Sequence, residues 1–192
     1  MAASKRNFFF AVLVSWLVQI PSGFVSGAEK PAAAFEGKDT LLRPEKYREW
    51  VFVGSSLGLR YEKDADKAPA SEAQRFNNVY LNPAAYREFA RTGKFSDGTI
   101  FILEIASAET KKEPGLQGSF QKEFVAFEAA VKDTKRFAEG WAYFSFDDKS
   151  GKLKAKAQPL PQSSCYDCHH QKAATDHVFT QFYPMLRMSS GK

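Results

Sequence analysis

The chain has 192 residues, of which 44% are hydrophobic and 26% charged, with a formal net charge of +5. That length suits one domain, and that balance suits an ordinary globule. Its lysines and arginines form no block interleaved with aromatics, so the composition speaks against a nucleic-acid partner.

Residues 1–27 read as a secretion signal. Lys5 and Arg6 precede the apolar run Phe8–Ile20, and Pro21 and small residues follow up to Gly27. That is the order of n-region, h-region and cleavage region. An uncleaved anchor is the competing reading, but the apolar run is short for a membrane span. Export to the periplasm or beyond is the expectation, and loss of Lys5 and Arg6 lowers the charge by two. Residues 28–43 read as a flexible lead-in, and residues 44–190 as the folded domain.

Pro44 opens a helical turn, and the apolar run Trp50–Val53 ends at Gly54-Ser55-Ser56. Residues 62–74 are charged and read as a surface loop. "RFNNVYL" (75–81) reads as a strand. Asn82 and Pro83 are a cap and first-turn pair that starts a helix, and Gly93 stops it. "DGTIFILEIASAE" (97–109) is a turn and a strand rich in β-formers, and "KKEPGLQGS" (111–119) a loop. Residues 120–133 fit either a strand or a helix. Residues 140–157 suggest two strands about a turn at Asp148–Gly151. Val178, Phe179, Phe182 and Tyr183 have helical spacing and suggest a short amphipathic helix ending near Pro184. The 18 phenylalanines are mostly core by expectation, with a cavity lining as the alternative. The fold class is α+β, mostly antiparallel sheet with flanking helices.

Both cysteines and all three histidines fall within "SSCYDCHHQKAATDHVF" (163–179). Cys165-Tyr166-Asp167-Cys168-His169 is C-x-x-C-H. On a helix, positions i, i+3 and i+4 share a face. Two thiols so spaced can reach the two vinyl groups on one haem edge, and the next histidine can coordinate the iron. The pattern is that of c-type haem attachment, one haem c per chain, on a C-terminal helix. A redox-active thiol pair and a zinc site built from Cys165, Cys168, His169 and His177 are the competing readings. The sixth iron position has no obvious methionine or histidine, because Met185, Met188, His170 and His177 all lie close to the motif. An open site for a small molecule is therefore expected.

At these residues the chain resembles the cytochrome P-460 family and its relatives, the cytochromes c′-beta. The haem motif and "DHVFTQFYPMLR" carry the resemblance, with "YREWVFVG", "NVYLNPAAYREF", "TGKFSDGT", "FEAAVKDTKRF" and "GWAYFSF" upstream in the same order. It spans about residues 44–187. It implies a mostly antiparallel β fold, one haem c and a homodimer. Cytochromes P-460 oxidise hydroxylamine and link a lysine to the haem ring, whereas cytochromes c′-beta lack that link and bind gases such as nitric oxide. The resemblance places the linking lysine at Leu103. A strand period of two puts Phe101, Leu103 and Ile105 on one face, so this would-be haem face is apolar. It also places a distal glutamate at Glu128, which on a strand would sit between Ala126 and Ala130, and a distal arginine at Asn77, with Arg75 on the same face.

Two functions follow as expectations. The first is an exported mono-haem cytochrome, cofactor contacts including Phe101 and Leu103, that binds nitric oxide or a similar gaseous or nitrogenous ligand, with electron transfer to a redox partner protein as a further capacity. The second is a hydroxylamine-oxidising or peroxidase-like enzyme with Glu128 as catalytic proton acceptor.

Overall fold

The computed structural model describes residues 31–59, 74–148 and 150–189. The leader expected over 1–27 lies outside the described residues, as does the surface loop expected over 62–74 except for Gln74. Among the described residues no helix is long and apolar enough to cross a membrane.

Five antiparallel strands form the main sheet in sequence order: β3 (Val51–Leu57), β4 (Arg75–Leu81), β5 (Ile100–Glu113), β6 (Leu116–Lys132) and β7 (Trp141–Ser145). A small sheet joins β1 (Phe35–Glu36), β2 (Thr40–Leu42) and β8 (Lys156–Ala157). Among the described residues three α-helices accompany them, α1 (Pro83–Thr92), α2 (Tyr166–Lys172) and α3 (Pro184–Ser189). The α+β class with a mostly antiparallel sheet is as expected.

Several local expectations give way. Residues 31–43 are not a bare lead-in: they hold β1 and β2, because Leu41 is fully buried in the core and needs a strand partner. β3 continues past Gly54 to Leu57, with a register shift between Phe52 and Gly54. That bulge lets the strand absorb a glycine that otherwise ends it. The loop expected over 111–119 is strand on both sides of a two-residue turn, Pro114-Gly115. Proline then glycine with Gly115 at φ 80° is type II turn chemistry, and residues 120–132 resolve as strand. β8 pairs with β2 rather than with β7. Pro184 opens α3 instead of ending a helix, since a proline suits the first helical position.

Asn82 does precede α1, but its side chain serves β5: Oδ1 accepts the Ile100 N–H at 2.9 Å. That bond ties the start of α1 to the first residue of the longest hairpin. Gly93 ends the helix at φ 70°.

The pleat separates the main sheet into two faces. Ile100, Ile102, Phe127, Ala129, Val131, Ala142 and Phe144 point one way and are buried beneath the small sheet with Leu41 and Tyr47. Phe101, Val79, Leu81 and Tyr143 point the other way and pack with α1, through Ala85 and Phe89, and with α3, through Leu186. Glu104 lies on the first, buried face. Tyr47 Oη and Arg48 Nη2 both donate to its Oε2, and Asn78 Nδ2 donates to Oε1 at 3.3 Å. Burial and the Glu104 carboxylate push the Tyr47 hydroxyl well above its ordinary pKa.

Removing Glu104 strands the buried Tyr47 hydroxyl and leaves the Asn78 amide with Gln121 Oε1 as its remaining acceptor, at 3.0 Å. Glu104→Ala should lower the unfolding free energy by roughly 2–3 kcal/mol, and Glu104→Gln, which keeps an acceptor, by less. Urea denaturation measures both, and equal values for the two variants would detach stability from the hydrogen-bond network.

Candidate functional site

The second sheet face is arranged in rows set by strand register. Gly54, Val79, Leu103, Glu128 and Ser145 lie in line across the five strands. The row on one side is Val51, Leu81, Phe101, Ala130 and Tyr143. On the other side lie Ser56, Asn77, Ile105 and Ala126. Leu103 and Glu128 are direct cross-strand partners, so the two positions singled out in sequence meet in space. Leu103, Ile105, Ala126, Glu128 and Ala130 are all half-buried, whereas Ile102, Glu104, Phe127, Ala129 and Val131 on the opposite face are buried. A half-covered apolar row in a sheet otherwise packed on both sides is a surface that suits a flat apolar ligand.

The C-x-x-C-H segment is delivered to this face by the strand before it. Leu160 N–H donates to the Tyr143 carbonyl at 2.7 Å, and Pro159 bridges Phe144. Cys165 then precedes α2 as its cap residue, and His169 N–H closes the first turn on the Cys165 carbonyl at 3.1 Å. Cys165, Cys168 and His169 therefore share one side of a single helical turn. Both thiols are free, Cys165 half-buried and Cys168 exposed. Burial first, then the nearby Glu128 and Cys168, push the Cys165 thiol up to about 11. Glu128 is thus within electrostatic reach of the first cysteine. Its own carboxyl is raised above the ordinary range, by burial and then by Asp147.

His169 has its orientation fixed. Its Nδ1 lies 2.7 Å from the His177 backbone carbonyl. A carbonyl only accepts, so Nδ1 carries the proton and Nε2 keeps its lone pair. This is the usual arrangement of a metal-ligating histidine, whose other nitrogen donates to a carbonyl or carboxylate. The ring sits between Tyr143 (centroids 4.6 Å apart) and Phe179 (4.7 Å). Burial lowers its pKa, which favours the neutral, ligating form.

The site's donors can be tested against the competing readings. Among the described residues no group of three or more His, Cys, Asp or Glu converges as a metal site. His177 Nε2 is engaged, 3.0 Å from His170 Nδ1 and 3.2 Å from Tyr166 Oη. Cys165, Cys168, His169 and His177 therefore do not converge as the four-ligand zinc site. Haem fits better. The thiols and His169 share a face, and the adjoining rows are apolar. Two buried hydroxyls on those rows, Ser56 Oγ and Tyr143 Oη, have no protein partner. Buried polar atoms are nearly always paired, and a bound polar group would supply the missing acceptors.

Sequence reasoning missed Tyr143, which is only 7% exposed and touches the His169 ring. The alternation in "GWAYFSF" could have placed it on the Glu128 face, had β7 been read as the neighbour of β6. It also missed the pairing of His169 with the His177 carbonyl, since a backbone acceptor leaves no mark in sequence. His177 lies close to the motif as expected, in a turn beside His169. Asn77 falls on the Leu103 face as expected, and Arg75 is exposed.

The cytochrome P460 family model matches residues 44–180, and comparison with curated proteins gives no match. The chain therefore belongs to the cytochrome P460 family, and haem is its implied cofactor.

The raised Glu128 pKa has a consequence for stability. A carboxyl whose native pKa lies above its unfolded value holds its proton more tightly in the native state. Its stabilising contribution is complete below the ordinary carboxylate range and is lost as pH rises through the native value. Glu128→Gln should flatten that fall. Denaturation midpoints measured from acid to neutral pH test it, and parallel curves for both proteins would mean Glu128 titrates normally.

Proposed function

We propose that this cytochrome P460 family member is an exported mono-haem c-type cytochrome that binds nitric oxide or a similar small ligand at an open iron position. In this reading Cys165 and Cys168 hold one haem, each S–H adding across one vinyl group with no net redox change. His169 is the axial ligand. The observation that carries the reading is the His169 Nδ1 hydrogen bond to the His177 carbonyl, which leaves Nε2 as a ready ligand on the same helical face as two free thiols.

The side chains around the site support an open sixth position. The rows containing Leu103 and Glu128 hold no histidine or methionine, and His170 and His177 contact each other beside His169. Bound haem would supply an iron able to take a small ligand or an electron. The chain's own residues would set what reaches it: Phe101, Leu103 and Ile105 exclude water, and Glu128 offers one hydrogen-bonding or proton-accepting group. Nitric oxide binds ferrous haem strongly without donor groups, which suits apolar walls.

Leu103 also bears on the haem ring. A leucine forms no link, Lys94, Lys111 and Lys112 are exposed, and Lys132 is held by Asp176 and the Phe95 carbonyl. The alternative reading is a hydroxylamine-oxidising or peroxidase-like enzyme, favoured by the half-buried Glu128 with its raised pKa. A homodimer and a redox partner protein complete the proposal. Beyond β4 the β5–β6 hairpin continues as a two-stranded arm with Leu116 and Phe120 exposed. Such a ribbon is marginal by itself and gains from a second copy against it. Export rests on the leader sequence at residues 1–27.

Intact-mass analysis of denatured protein from cells competent in cytochrome c maturation should give the chain plus one haem. Tryptic mapping should find haem only on the peptide holding Cys165 and Cys168. A haem-free mass would overturn the reading, and a second haem–peptide bond at a lysine would restore the oxidase alternative. The ferrous spectrum should be five-coordinate and respond to nitric oxide and carbon monoxide. A six-coordinate low-spin spectrum would favour simple electron transfer instead. Glu128→Gln should remove any pH dependence of ligand binding rates.

A further inference from the structure

The His177 carbonyl that orients His169 sits in an unusual piece of backbone. Asp176 and His177 have φ 45° and 63°, both left-handed. Thr175 and Val178 exchange backbone hydrogen bonds across them, Val178 N–H to the Thr175 carbonyl at 2.8 Å and Thr175 N–H to the Val178 carbonyl at 3.3 Å. This is a two-residue turn with positive φ at both central positions, the type I′ geometry that asparagine–glycine favours. Two side-chain-bearing residues there cost on the order of 1 kcal/mol or more each, so surrounding contacts must hold them.

Those contacts converge on Asp176. Its Oδ2 takes the Lys132 ammonium at 2.5 Å, and its Oδ1 accepts the Trp141 indole N–H at 3.1 Å. Lys132 also donates to the Phe95 carbonyl at 2.7 Å. Lys132 and Trp141 are direct cross-strand partners on β6 and β7, so the carboxylate is clamped to the rigid sheet at one point from two strands. An exposed ion pair alone contributes at most about 1 kcal/mol. Here the Lys132 side chain is 17% exposed and the Trp141 bond is added, which gives the clamp direction as well as energy.

We propose that Asp176 is a positioning residue for the proximal haem ligand. Its carboxylate, held by Lys132 and Trp141, fixes the 175–178 turn so that the His177 carbonyl accepts the Nδ1 proton of His169. This sets the rotation of the imidazole and its strength as an electron donor. The inference rests on the haem reading above. A hydrogen bond at Nδ1 makes Nε2 more basic, which strengthens the iron–histidine bond and stabilises the oxidised iron.

Resonance Raman spectroscopy of the ferrous protein reads the iron–histidine stretch, and potentiometry reads the reduction potential. Asp176→Ala should shift the stretch to lower frequency and the potential upward. Asp176→Asn keeps an acceptor for Trp141 and tolerates the left-handed backbone but loses the charge held by Lys132. It should shift both in the same direction by less. A merely structural role would lower the melting temperature without moving either readout. An unchanged stretch and potential in Asp176→Ala overturns the proposal. Should that variant not accumulate as folded protein, an unchanged Asp176→Asn overturns it equally. Wild-type protein without covalent haem by mass would be a failure of the haem reading, seen before any variant is compared.

Discussion

The register between β5 and β6 is the constraint on which the site depends. Ile100 to Ile105 pair one-for-one with Val131 to Ala126, and side chains alternate faces along both strands. Ile100, Ile102, Phe127, Ala129 and Val131 must therefore enter the core together. A slip of one residue would turn that set outward and bury Glu128 among phenylalanines. The burial of one face thus fixes Leu103 opposite Glu128 on the other. The residues that would meet a small ligand are placed by packing on the far side of the sheet, not by contacts of their own. The Asn82 side chain, bonded to the Ile100 N–H, pins the start of that register.

The two halves of the candidate site are built by different means. The Leu103–Glu128 half belongs to the sheet and is rigid for that reason. The His169 half is built from a seven-residue helix and a strained turn, elements with little stability of their own. It is held by contacts back to the sheet: Leu160 to Tyr143, Asp176 to Lys132 and Trp141, and the ring of Tyr143 against His169. Gly54 belongs to this scheme too. A Cβ there would meet the Tyr183 ring at 3.0 Å, so the glycine lets the C-terminal segment lie directly on β3.

What the sequence made legible follows the range of the interactions. The alternation in "TIFILEI" and the alanines flanking Glu128 placed Phe101, Leu103 and Glu128 on their faces, because strand period is local. Asn82-Pro83 and Gly93 bounded α1 for the same reason. The 111–119 segment was misread because its lysines, glutamates and glycines are poor strand formers. Pairing along the hairpin overrides that preference, with Glu109 close to Lys111 and Lys122. β1 and β2 were invisible because each is two or three residues long, and β2 is ordered by a partner more than a hundred residues away; β8 was legible as a strand, but its pairing with β2 was not. The Asp176–Lys132 contact spans 44 residues, and no local pattern announces it. The helical turn at C-x-x-C-H was legible, since its spacing is local.

The Leu103–Glu128 pair also bears on the choice between the two functional readings. Directly opposed residues on antiparallel strands have Cβ atoms about 5 Å apart. A lysine at 103 would set a positive charge within reach of the Glu128 carboxylate and favour its ionised form. With leucine there, that charge is missing, and burial together with Asp147 acts in the opposite direction. The polar group beside the proposed iron position is thereby inclined to keep its proton. In the proposed reading, the apolar neighbours Leu103, Ile105, Ala126 and Ala130 around this carboxyl suit a small neutral ligand. The carboxyl is a weaker base toward a substrate that must give up protons as it is oxidised. In the proposed reading, leucine at position 103 offers neither a ring link nor a charge that favours ionised Glu128, and both weigh toward ligand binding over oxidation.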